Sequence, residues 1–209
     1  MGPSHCLAYG CGWAALTTGC QATRRQSARS ILLTINFMEI RQVQDTDGPL
    51  LRELHVRMYA DSPDAFSESL ESARAMTDEQ WIARVRQLSE PGEAVAFVAM
   101  EGTEAIGFIA GSVGRWRDGA MRPDRRDTVT LAKAWIDPRF RGRGFGRALA
   151  EAVGAWARAQ GAVTLEAQVT EANEPASRFY ACLGFVDMGR REPLLSNPAL
   201  QIRFLRRSL

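Results

Sequence analysis

A short segment rich in glycine and arginine, residues 141–146 (Arg-Gly-Arg-Gly-Phe-Gly), constrains the fold of this chain more than any other stretch. It follows a β-branched and aromatic run, 128–136, which Asp137 and Pro138 end, because proline lacks an amide donor and fixes φ. After it, apolar residues recur at helical spacing through an alanine-rich stretch, so a helix should start near Gly146. A strand, a glycine turn and a helix start in this order let backbone N–H groups converge on phosphate oxygens. The sequence therefore predicts a site for a phosphorylated cofactor at this turn.

The spacing of the glycines separates this turn from two other phosphate-binding loops. The nucleoside triphosphate loop ends in Gly-Lys-Ser/Thr, whereas here Gly146 is followed by Arg147 and Ala148. The dinucleotide fingerprint needs its third glycine at position 147, which is arginine. The pattern that matches is Arg/Gln-x-x-Gly-x-Gly/Ala, supplied by Arg141, Gly144 and Gly146. It resembles the acetyl-CoA-binding motif of the GNAT superfamily of N-acetyltransferases.

A second block, residues 173–185, strengthens the resemblance. Pro175 suits the first turn of a helix, and Gly184 is a natural helix stop. The corresponding GNAT segment reads Asn-x-x-Ala-x-x-x-Tyr-x-x-x-Gly-Phe. The positions in register with it are Asn173, Ala176, Tyr180, Gly184 and Phe185. The two blocks are independent of each other, and the number of residues between them is typical of the family. On this resemblance the chain is identified as a member of the GNAT superfamily.

The resemblance implies an α/β fold, the GNAT acyl-CoA N-acyltransferase fold. Its central sheet would be mixed and mostly antiparallel, with about six to seven strands flanked by about four helices. The hydrophobic pattern agrees with this order. Predicted strands lie at 38–43, 94–99, 105–110, 128–136, 163–169, 185–189 and 200–205, and predicted helices at 50–60, 78–90, 146–159 and 174–183. A polar loop is expected at 117–127.

The resemblance also implies acetyl-CoA as the acyl donor, bound without a metal ion. In GNAT folds the strand before the glycine turn separates from its neighbour, so the backbone N–H groups of Trp135 and Ile136 would bind the pantetheine arm and polarise the thioester. Arg141 and Arg143 would face phosphates, whereas Arg147 is either a further phosphate contact or a solvated helix charge. The predicted cofactor-binding residues are Trp135, Ile136, Asp137, Arg141, Gly142, Arg143, Gly144, Phe145, Gly146, Arg147 and Asn173.

Tyr180 matches the family position whose phenol protonates the leaving thiolate, and it is the predicted catalytic residue. A phenol with an ordinary pKa of ~10 keeps its proton at neutral pH and can donate it. The alternative is a tyrosine packed in the core. Asn173 likewise either bonds the pantetheine or only caps its helix. The general base stays unassigned, because many members carry a glutamate where this chain has Thr130; the candidates are Glu101, Asp64 and Glu68 acting through water, or no residue at all.

The implied reaction moves an acetyl group directly from the thioester to a primary amine of a small molecule or peptide. The acceptor would enter opposite the cofactor, against a surface drawn from Tyr59, Asp61, Asp64, Phe66 and Glu68, with Trp116 and the 117–127 loop at another edge. An antibiotic amine, a polyamine, an amino acid and a protein N-terminus stay open. Cys182 is expected to be a packed residue, because direct transfer needs no acyl-enzyme. The alternative function is a non-catalytic acyl-CoA-binding regulatory module, which would not need Tyr180.

The composition argues against two kinds of partner. Residues 1–37 hold three arginines and no acidic side chain, which leaves 23 basic and 24 acidic side chains in the remaining chain. A body so close to neutral lacks the basic stripe of a nucleic-acid-binding protein. No apolar run approaches the ~20 residues of a membrane span. We expect a cytoplasmic monomer or homodimer.

Residues 1–37 differ in composition from the rest and are predicted to be a disordered N-terminal extension to a GNAT domain at 38–209. Cys6, Cys11 and Cys20 have no second pair at zinc-ligand spacing, so no metal site is predicted. The segment also resembles a transit peptide in its lack of acidic residues. A start codon upstream of the true start at Met38 is a further interpretation.

Overall fold

The computed structural model describes residues 38–117, 120–122 and 125–209. Strands β1 to β9 are Met38–Gln42, Ala94–Glu101, Glu104–Val113, Arg115–Arg117, Ala120–Arg122, Thr128–Ile136, Thr164–Thr170, Val186–Leu194 and Asn197–Ser208. Helices α1 to α5 are Gly48–Asp61, Leu70–Ala75, Asp78–Ser89, Phe145–Ala159 and Glu174–Cys182. Two short 3-10 turns, Pro63–Ala65 and Pro138–Phe140, follow α1 and β6. The predictions made for residues 1–37 lie outside the described residues.

The main sheet has seven strands in the order β1-β2-β3-β6-β7-β9-β8. All neighbouring strands run antiparallel except β6 and β7, which are parallel. Helix α4 makes the crossover that a parallel pair requires. Strands β2 and β3 form the predicted hairpin across Gly102, whose φ is 60°. The mixed, mostly antiparallel α/β sheet predicted from the sequence is confirmed.

Helices cover both faces of this sheet, and each face has its own apolar cluster. On the α4 face, Leu149 and Val153 of α4 pack on the sheet together with Tyr180 of α5. On the α1 face, Leu54 of α1 and Trp81 of α3 pack on the other side of β2 and β3. Burying one such apolar side chain contributes ~1.5–3 kcal/mol. Strand β6 therefore lies in the middle of the sheet with a packed layer on each side.

The structure contains helix α2, which the sequence did not indicate. Helix α3 starts as predicted, because Thr77 and Gln80 cap each other's backbone N–H groups at 2.8 and 3.3 Å. Helix α2 has a capping pair of its own, Ser69 and Ser72, but buries only Ala73. So short a helix has no apolar stripe that a periodicity argument would detect. The described residues consequently hold five α-helices rather than about four.

The C-terminal strands are longer than the sequence indicated. Strands β8 and β9 pair from Val186 opposite Arg206 to Leu194 opposite Asn197. In β9 the apolar pattern marked the buried part, whereas in β8 the one buried position, Leu194, lies beyond the predicted strand among polar and exposed residues. The stretch expected to be a polar loop instead includes strand β5 and the end of its antiparallel partner β4.

Candidate active site

Strand β6 leaves its parallel neighbour β7 well before either strand ends. The register pairs residues 128–131 with 164–167 and then stops. Strand β6 continues to Ile136 and β7 to Thr170, while the other edge of β6 stays paired with β3. The two strands therefore diverge at this end of the sheet. This opening is the separation that the GNAT resemblance implied.

A β-bulge at Lys133 lies where β6 separates from β7. Lys133 has a φ of 55°, and the register with β3 shifts beside it. A bulge lets two successive residues share one face of a sheet. Ala132 packs in the α1-face cluster and Lys133 bonds Glu68 on that face, whereas Leu131 and Ala134 on either side pack on the α4 face. Strict alternation would have placed the lysine on the α4 face.

The backbone of Ile136 faces the opening. The amide of Asp137 donates to the Ile106 carbonyl of β3 at 2.8 Å, and successive amides of a strand point to opposite sides. The N–H and C=O groups of Ile136, which lies opposite Gly107, therefore point away from β3. By the same alternation the amide of Trp135 is directed at β3. The two residues predicted as donors thus face opposite edges of the strand.

The glycine turn has an open backbone. Gly142 and Gly144 have φ values of 77° and 90°, which side chains other than glycine rarely adopt. Gly144 is the N-cap of α4, and no side chain caps this helix. Its first helical bond runs from the amide of Ala148 to Gly144, so the amides of residues 145–147 have no partner within the helix. The turn offers these N–H groups and a partial positive charge to an anion.

A cleft of about 860 Å³ connects the strand opening with the glycine turn. Its walls come from both faces of the sheet, with Ser62, Ala65 and Phe66 on the α1 side. Among the predicted site residues, Asp137 and Arg143 do not line it. Those that do are Trp135, Ile136, Arg141, Gly142, Gly144, Phe145, Gly146, Arg147, Asn173 and Tyr180. The two sequence blocks therefore meet in one cleft.

Two arginines of the turn differ in their surroundings. Arg143 pairs with Glu101 at 2.7 Å and stacks over Phe140, outside the cleft lining. Arg147 lines the cleft with a side chain that is 56% exposed, and it reaches the Cys182 carbonyl at 3.4 Å. Arg147 also pairs with Glu151 of α4, but at 3.9 Å and between exposed side chains, so a bound anion can replace this contact at little cost. Arg143 has to leave the closer and less exposed carboxylate of Glu101 to do so.

Asp137 is buried beneath the turn. Its carboxylate accepts from the amide and the Nε atom of Arg139 at 2.9 and 3.0 Å and pairs with Arg57. The bonds from Arg139 and Arg57 outweigh the effect of burial and hold the pKa of Asp137 well below its ordinary value. These contacts fix the 3-10 turn that leads from β6 into the glycine turn. Asp137 therefore stabilises the backbone of this turn without lining the cleft.

Tyr180 lines the cleft from α5 and is only 5% exposed. Its ring packs edge-on against Phe179 and Phe185, with 5.2 Å between ring centroids in each pair. Burial raises the pKa of Tyr180 above its ordinary value. In the part of the chain that the structure describes, no side chain or carbonyl bonds its hydroxyl. The phenol therefore keeps its proton and is available to donate it to a ligand in the cleft.

Asn173 serves as the N-cap of α5, and its side chain also borders the cleft. Its Oδ1 atom accepts from the amide of Ala176 at 3.1 Å. The Nδ2 group has no partner among the described residues. One side chain can therefore cap the helix and still donate to a ligand. Cys182, which we expected to be packed, is exposed at the edge of the cleft, because the last turn of α5 faces solvent.

The α1 face holds a cluster of paired charges around Glu68. This carboxylate accepts from the Tyr59 hydroxyl at 2.8 Å and from Lys133 and Arg84 at 2.9 Å each. Burial acts to raise the pKa of Glu68, but the two cations outweigh it and bring the pKa to about 2. A carboxylate with so low a pKa is a poor general base at neutral pH. The side chain of Trp116, expected at another edge of the acceptor surface, lies outside the description.

The remaining candidates for the general base do not line the cleft. Glu101 lies on β2 and pairs with Arg143, and Asp64 is exposed in the first 3-10 turn. Thr130, which replaces the family glutamate, donates to the carbonyl of Gly114 at 2.8 Å inside the sheet. Of the described residues that line the cleft, none is Glu101, Asp64 or Glu68. The general base therefore stays unassigned.

Within residues 38–117, 120–122 and 125–209, no three His, Cys, Asp or Glu side chains come together as a metal site would require. Nor does any helix there have the length and apolar character to cross a membrane. The longest helix of the described residues, α4, has 15 residues.

Solved structures share this fold. An acetyltransferase of the GNAT family from Streptococcus pneumoniae has a TM-score of 0.67 at 18% identity, over 83% of this chain and 100% of that chain. YncA, a putative acetyltransferase from Salmonella typhimurium solved with its cofactor acetyl-CoA, has a TM-score of 0.65 at 21% identity, over 83% and 94%. Both matches extend over most of this chain. They confirm the GNAT fold.

Sequence comparison gives the family. A mycothiol acetyltransferase from Thermobispora bispora is 33% identical over 132 residues, which are 63% of this chain and 40% of that protein. This chain thus matches less than half the length of that curated relative. The model of the acetyltransferase (GNAT) family matches residues 52–185, more than half of the chain. That range contains both sequence blocks and the cleft between them, and the chain belongs to the GNAT acetyltransferase family.

Proposed function

We propose that this chain is an acetyl-CoA-dependent N-acetyltransferase, which moves an acetyl group directly from the thioester to a primary amine of a small molecule or peptide. One observation carries the proposal: the uncapped start of α4, the backbone of Ile136 and the hydroxyl of Tyr180 border the same cleft. Membership in the acetyltransferase family supports the reaction. The Salmonella relative solved with acetyl-CoA supports the donor.

The glycine turn suits a diphosphate. A Cβ atom built on Gly142 or Gly144 would meet nothing within 4 Å, so the space beside the backbone is open to phosphate oxygens. The amides of residues 145–147 would donate to these oxygens, with Arg141 and Arg147 supplying charge from the same turn. The donor set and the space both fit the diphosphate of coenzyme A.

Ile136 and Asn173 would hold the rest of the coenzyme. Acetyl-CoA, when bound, supplies the acyl thioester. The Nδ2 group of Asn173 would donate to the pantetheine arm, and the amide of Ile136 would donate to the acyl oxygen. A donor that strengthens its bond as charge develops on that oxygen stabilises the transition state by ~3 kcal/mol. We assign this donor to Ile136 rather than Trp135, because only the Ile136 amide is directed at the opening.

Tyr180 would complete the transfer. A neutral amine nitrogen bonds the acyl carbon while the carbon–sulfur bond breaks and its electron pair stays on sulfur. Tyr180 gives its proton to that sulfur. The new amide nitrogen loses its surplus proton to water, and water returns a proton to the phenolate of Tyr180. The phenol of Tyr180 carries its proton at neutral pH, so a proton is available when the sulfur becomes negative. Asp64, Glu68 and Glu101 have no step in this scheme.

The test combines binding and turnover on the full chain. Calorimetry with acetyl-CoA should show saturable binding, and a thiol-release assay against a panel of amines should show transfer. The panel covers polyamines, aminoglycosides, amino acids and peptides with free N-termini. Binding without thiol release for any amine would favour the non-catalytic acyl-CoA-binding module instead. No binding of acetyl-CoA by folded protein would contradict the proposal.

A further inference from the structure

Asp61, the last residue of α1, carries a carboxylate that several segments hold in place. Its Oδ2 atom accepts from the indole Nε1 of Trp135 at 2.9 Å and from the Oγ of Ser62 at 2.7 Å. It also pairs with the guanidinium of Arg141, which belongs to the glycine turn. The side chain of Asp61 is 23% exposed. The carboxylate is therefore oriented by neighbours yet remains accessible from solvent.

Arg141 connects this carboxylate with the open edge of β6. Its Nε atom donates to the carbonyl of Ile136 at 2.9 Å while the same guanidinium pairs with Asp61. One cation thus lies between a carboxylate and a backbone carbonyl. Ile136 is also the residue whose amide faces the opening. The cation therefore lies beside the place proposed for the thioester.

An ammonium group has the chemistry to take the place of this guanidinium. Both are cations that donate hydrogen bonds and accept none. Burial acts to raise the pKa of Asp61, but the bonds from Trp135, Ser62 and Arg141 outweigh it, so the pKa is lowered. At neutral pH the carboxylate is therefore charged. It would bind a cation without taking its proton.

We propose that Asp61 binds the ammonium group of the acceptor, and that Arg141 occupies this position until the diphosphate of acetyl-CoA draws it away. The inference rests on the proposed function and names the acceptor class, amines that are protonated in solution. Before attack, the bound ammonium group loses one proton to water and becomes the neutral nucleophile. Asp61 is in this scheme a residue that binds substrate and sets specificity.

The contacts of Arg141 make the exchange inexpensive. Its side chain is 50% exposed, and ion pairs of exposed side chains are weak. A diphosphate offers two anionic groups beside the free amides of residues 145–147, so it competes well with a single carboxylate. Trp135 and Ser62 would keep Asp61 in position after Arg141 has left. The exchange therefore replaces only the cation that pairs with Asp61.

The other carboxylates expected at the acceptor surface lack this combination. Glu68 already accepts from two cations and from the Tyr59 hydroxyl. Asp64 is exposed, and within the described residues no donor orients its carboxylate. Asp61 has two neutral donors that orient it and one cation that can leave.

The first experiment measures CoA binding by calorimetry without any acceptor. Asp61→Asn removes the charge that holds Arg141, so we expect CoA to bind about two- to fivefold more tightly than to wild type. Asp78→Asn is the matched control, because it breaks an exposed pair with Arg52 at 2.9 Å away from the cleft. Its CoA affinity should equal that of wild type. Equal or weaker binding by folded Asp61→Asn would overturn the exchange.

Arg141→Gln tests the same pair from the other side. It should weaken CoA binding, whereas Asp61→Asn strengthens it. A pair that only supports the fold would shift CoA binding in the same direction in both variants, and that result would overturn the inference. Thermal melting confirms that each variant is folded. Asp61→Ser, which keeps an oxygen acceptor for Trp135, replaces Asp61→Asn if the latter does not fold.

The second experiment measures kinetics with the amine that wild type acetylates fastest. Asp61→Asn should raise the KM for this amine at least tenfold without raising the KM for acetyl-CoA, and Asp61→Glu should restore part of the loss. An unchanged amine KM would overturn the role of Asp61. If wild type itself binds no acetyl-CoA or acetylates no amine, the proposed function fails and this inference falls with it. If wild type is active and only the variants lose affinity for the amine, the result concerns Asp61 and not the proposed function.

Discussion

The two sides of strand β6 are built by different means. On the α4 face, the backbone amides of residues 145–147 and of Ile136 border the cleft together with side chains such as that of Tyr180. On the α1 face, side chains from distant segments bond one another in the cluster of Tyr59, Glu68 and Lys133. A backbone site depends on a short stretch of sequence, whereas a side-chain site depends on every element that contributes to it. Substitution of side chains should therefore alter the α1 face more than the backbone groups of the α4 face.

The contrast predicts how each face responds to substitution. Changes on the α4 face should act on coenzyme binding or turnover through backbone shape and the Tyr180 hydroxyl. Changes on the α1 face should act on stability, on its dependence on pH and on the acceptor. The same effects on both faces would contradict this distinction.

His55 should make the α1 face sensitive to acid. The imidazole is buried, and its Nδ1 atom lies 2.8 Å from the Leu51 carbonyl. Burial, and then the charge of Lys133, lower the pKa of His55 to about 3. In the unfolded chain His55 takes up a proton near pH 6.5, whereas in the folded chain it stays neutral until about pH 3. The free energy of unfolding should therefore fall as pH drops from about 6.5 toward about 3. The slope approaches ~1.4 kcal/mol per pH unit.

His55→Leu should flatten this loss, and urea unfolding at a series of pH values measures it. Stability near pH 7.5 should change by no more than ~1 kcal/mol, because the variant also removes a buried Nε2 atom that lacks a partner among the described residues. The other histidine of the chain, His5, is present in both proteins. Parallel pH curves for the two proteins would show that His55 is not the acid-sensitive group.

Tyr180→Phe should lower turnover at least tenfold, about 1.4 kcal/mol of transition-state stabilisation. The affinity for acetyl-CoA, measured by calorimetry, should stay within twofold, because the ring and its packing remain. Tyr59→Phe is the matched change on the α1 face, where the hydroxyl bonds Glu68 at 2.8 Å. It should cost ~1 kcal/mol of stability and leave turnover close to wild type. Unaltered turnover in Tyr180→Phe would remove its role as the acid.

Gly144→Ala should cost ~1 kcal/mol of stability and weaken CoA binding severalfold, because φ is 90° at this position. Gly154→Ala, in the middle of α4, is the control. A Cβ there would have its nearest neighbour at 3.6 Å, an ordinary contact, and alanine is the better helix former. It should therefore stabilise the fold and leave CoA binding unchanged. Equal effects of the two substitutions on CoA binding would show that CoA binding does not depend on the backbone shape of the glycine turn.

Asn173→Asp separates the two interpretations of Asn173 and should have the smallest effect. Aspartate caps a helix as well as asparagine does, so thermal stability should change by less than ~0.5 kcal/mol. It lacks the Nδ2 donor, and we expect CoA to bind a few times more weakly. Unchanged CoA affinity would leave Asn173 with the capping role alone.

Sequence reasoning went furthest where structure is local. The strand at 128–136 was predicted with its observed bounds, and the cap of α3 at Thr77 was predicted from four consecutive residues. It missed α2, whose six residues bury a single side chain. It also missed the bulge at Lys133, because a lysine in a strand does not by itself indicate a positive φ. A backbone with positive φ outside glycine is a product of tertiary packing.

The residues expected at the acceptor surface also show that sequence reasoning does not detect contacts between distant segments. Asp61 was one of five residues suggested for that surface, and only its contacts with Trp135 and Arg141, far along the chain, distinguish it from Asp64. Its value as a cation site depends on which donors surround the carboxylate. Such a set of donors has no signature in a single stretch of sequence.

Spacing along the chain was enough to predict the family, the strand, glycine turn and helix proposed to bind the coenzyme, and the tyrosine that lines the same cleft, because such spacing fixes local backbone geometry. Strand pairing across the sheet directs the Ile136 amide at the opening. Packing between distant segments turns Lys133 to the α1 face and pairs Arg141 with Asp61. These outcomes depend on where strands diverge and which charges meet, and both follow from packing between segments far apart in the chain.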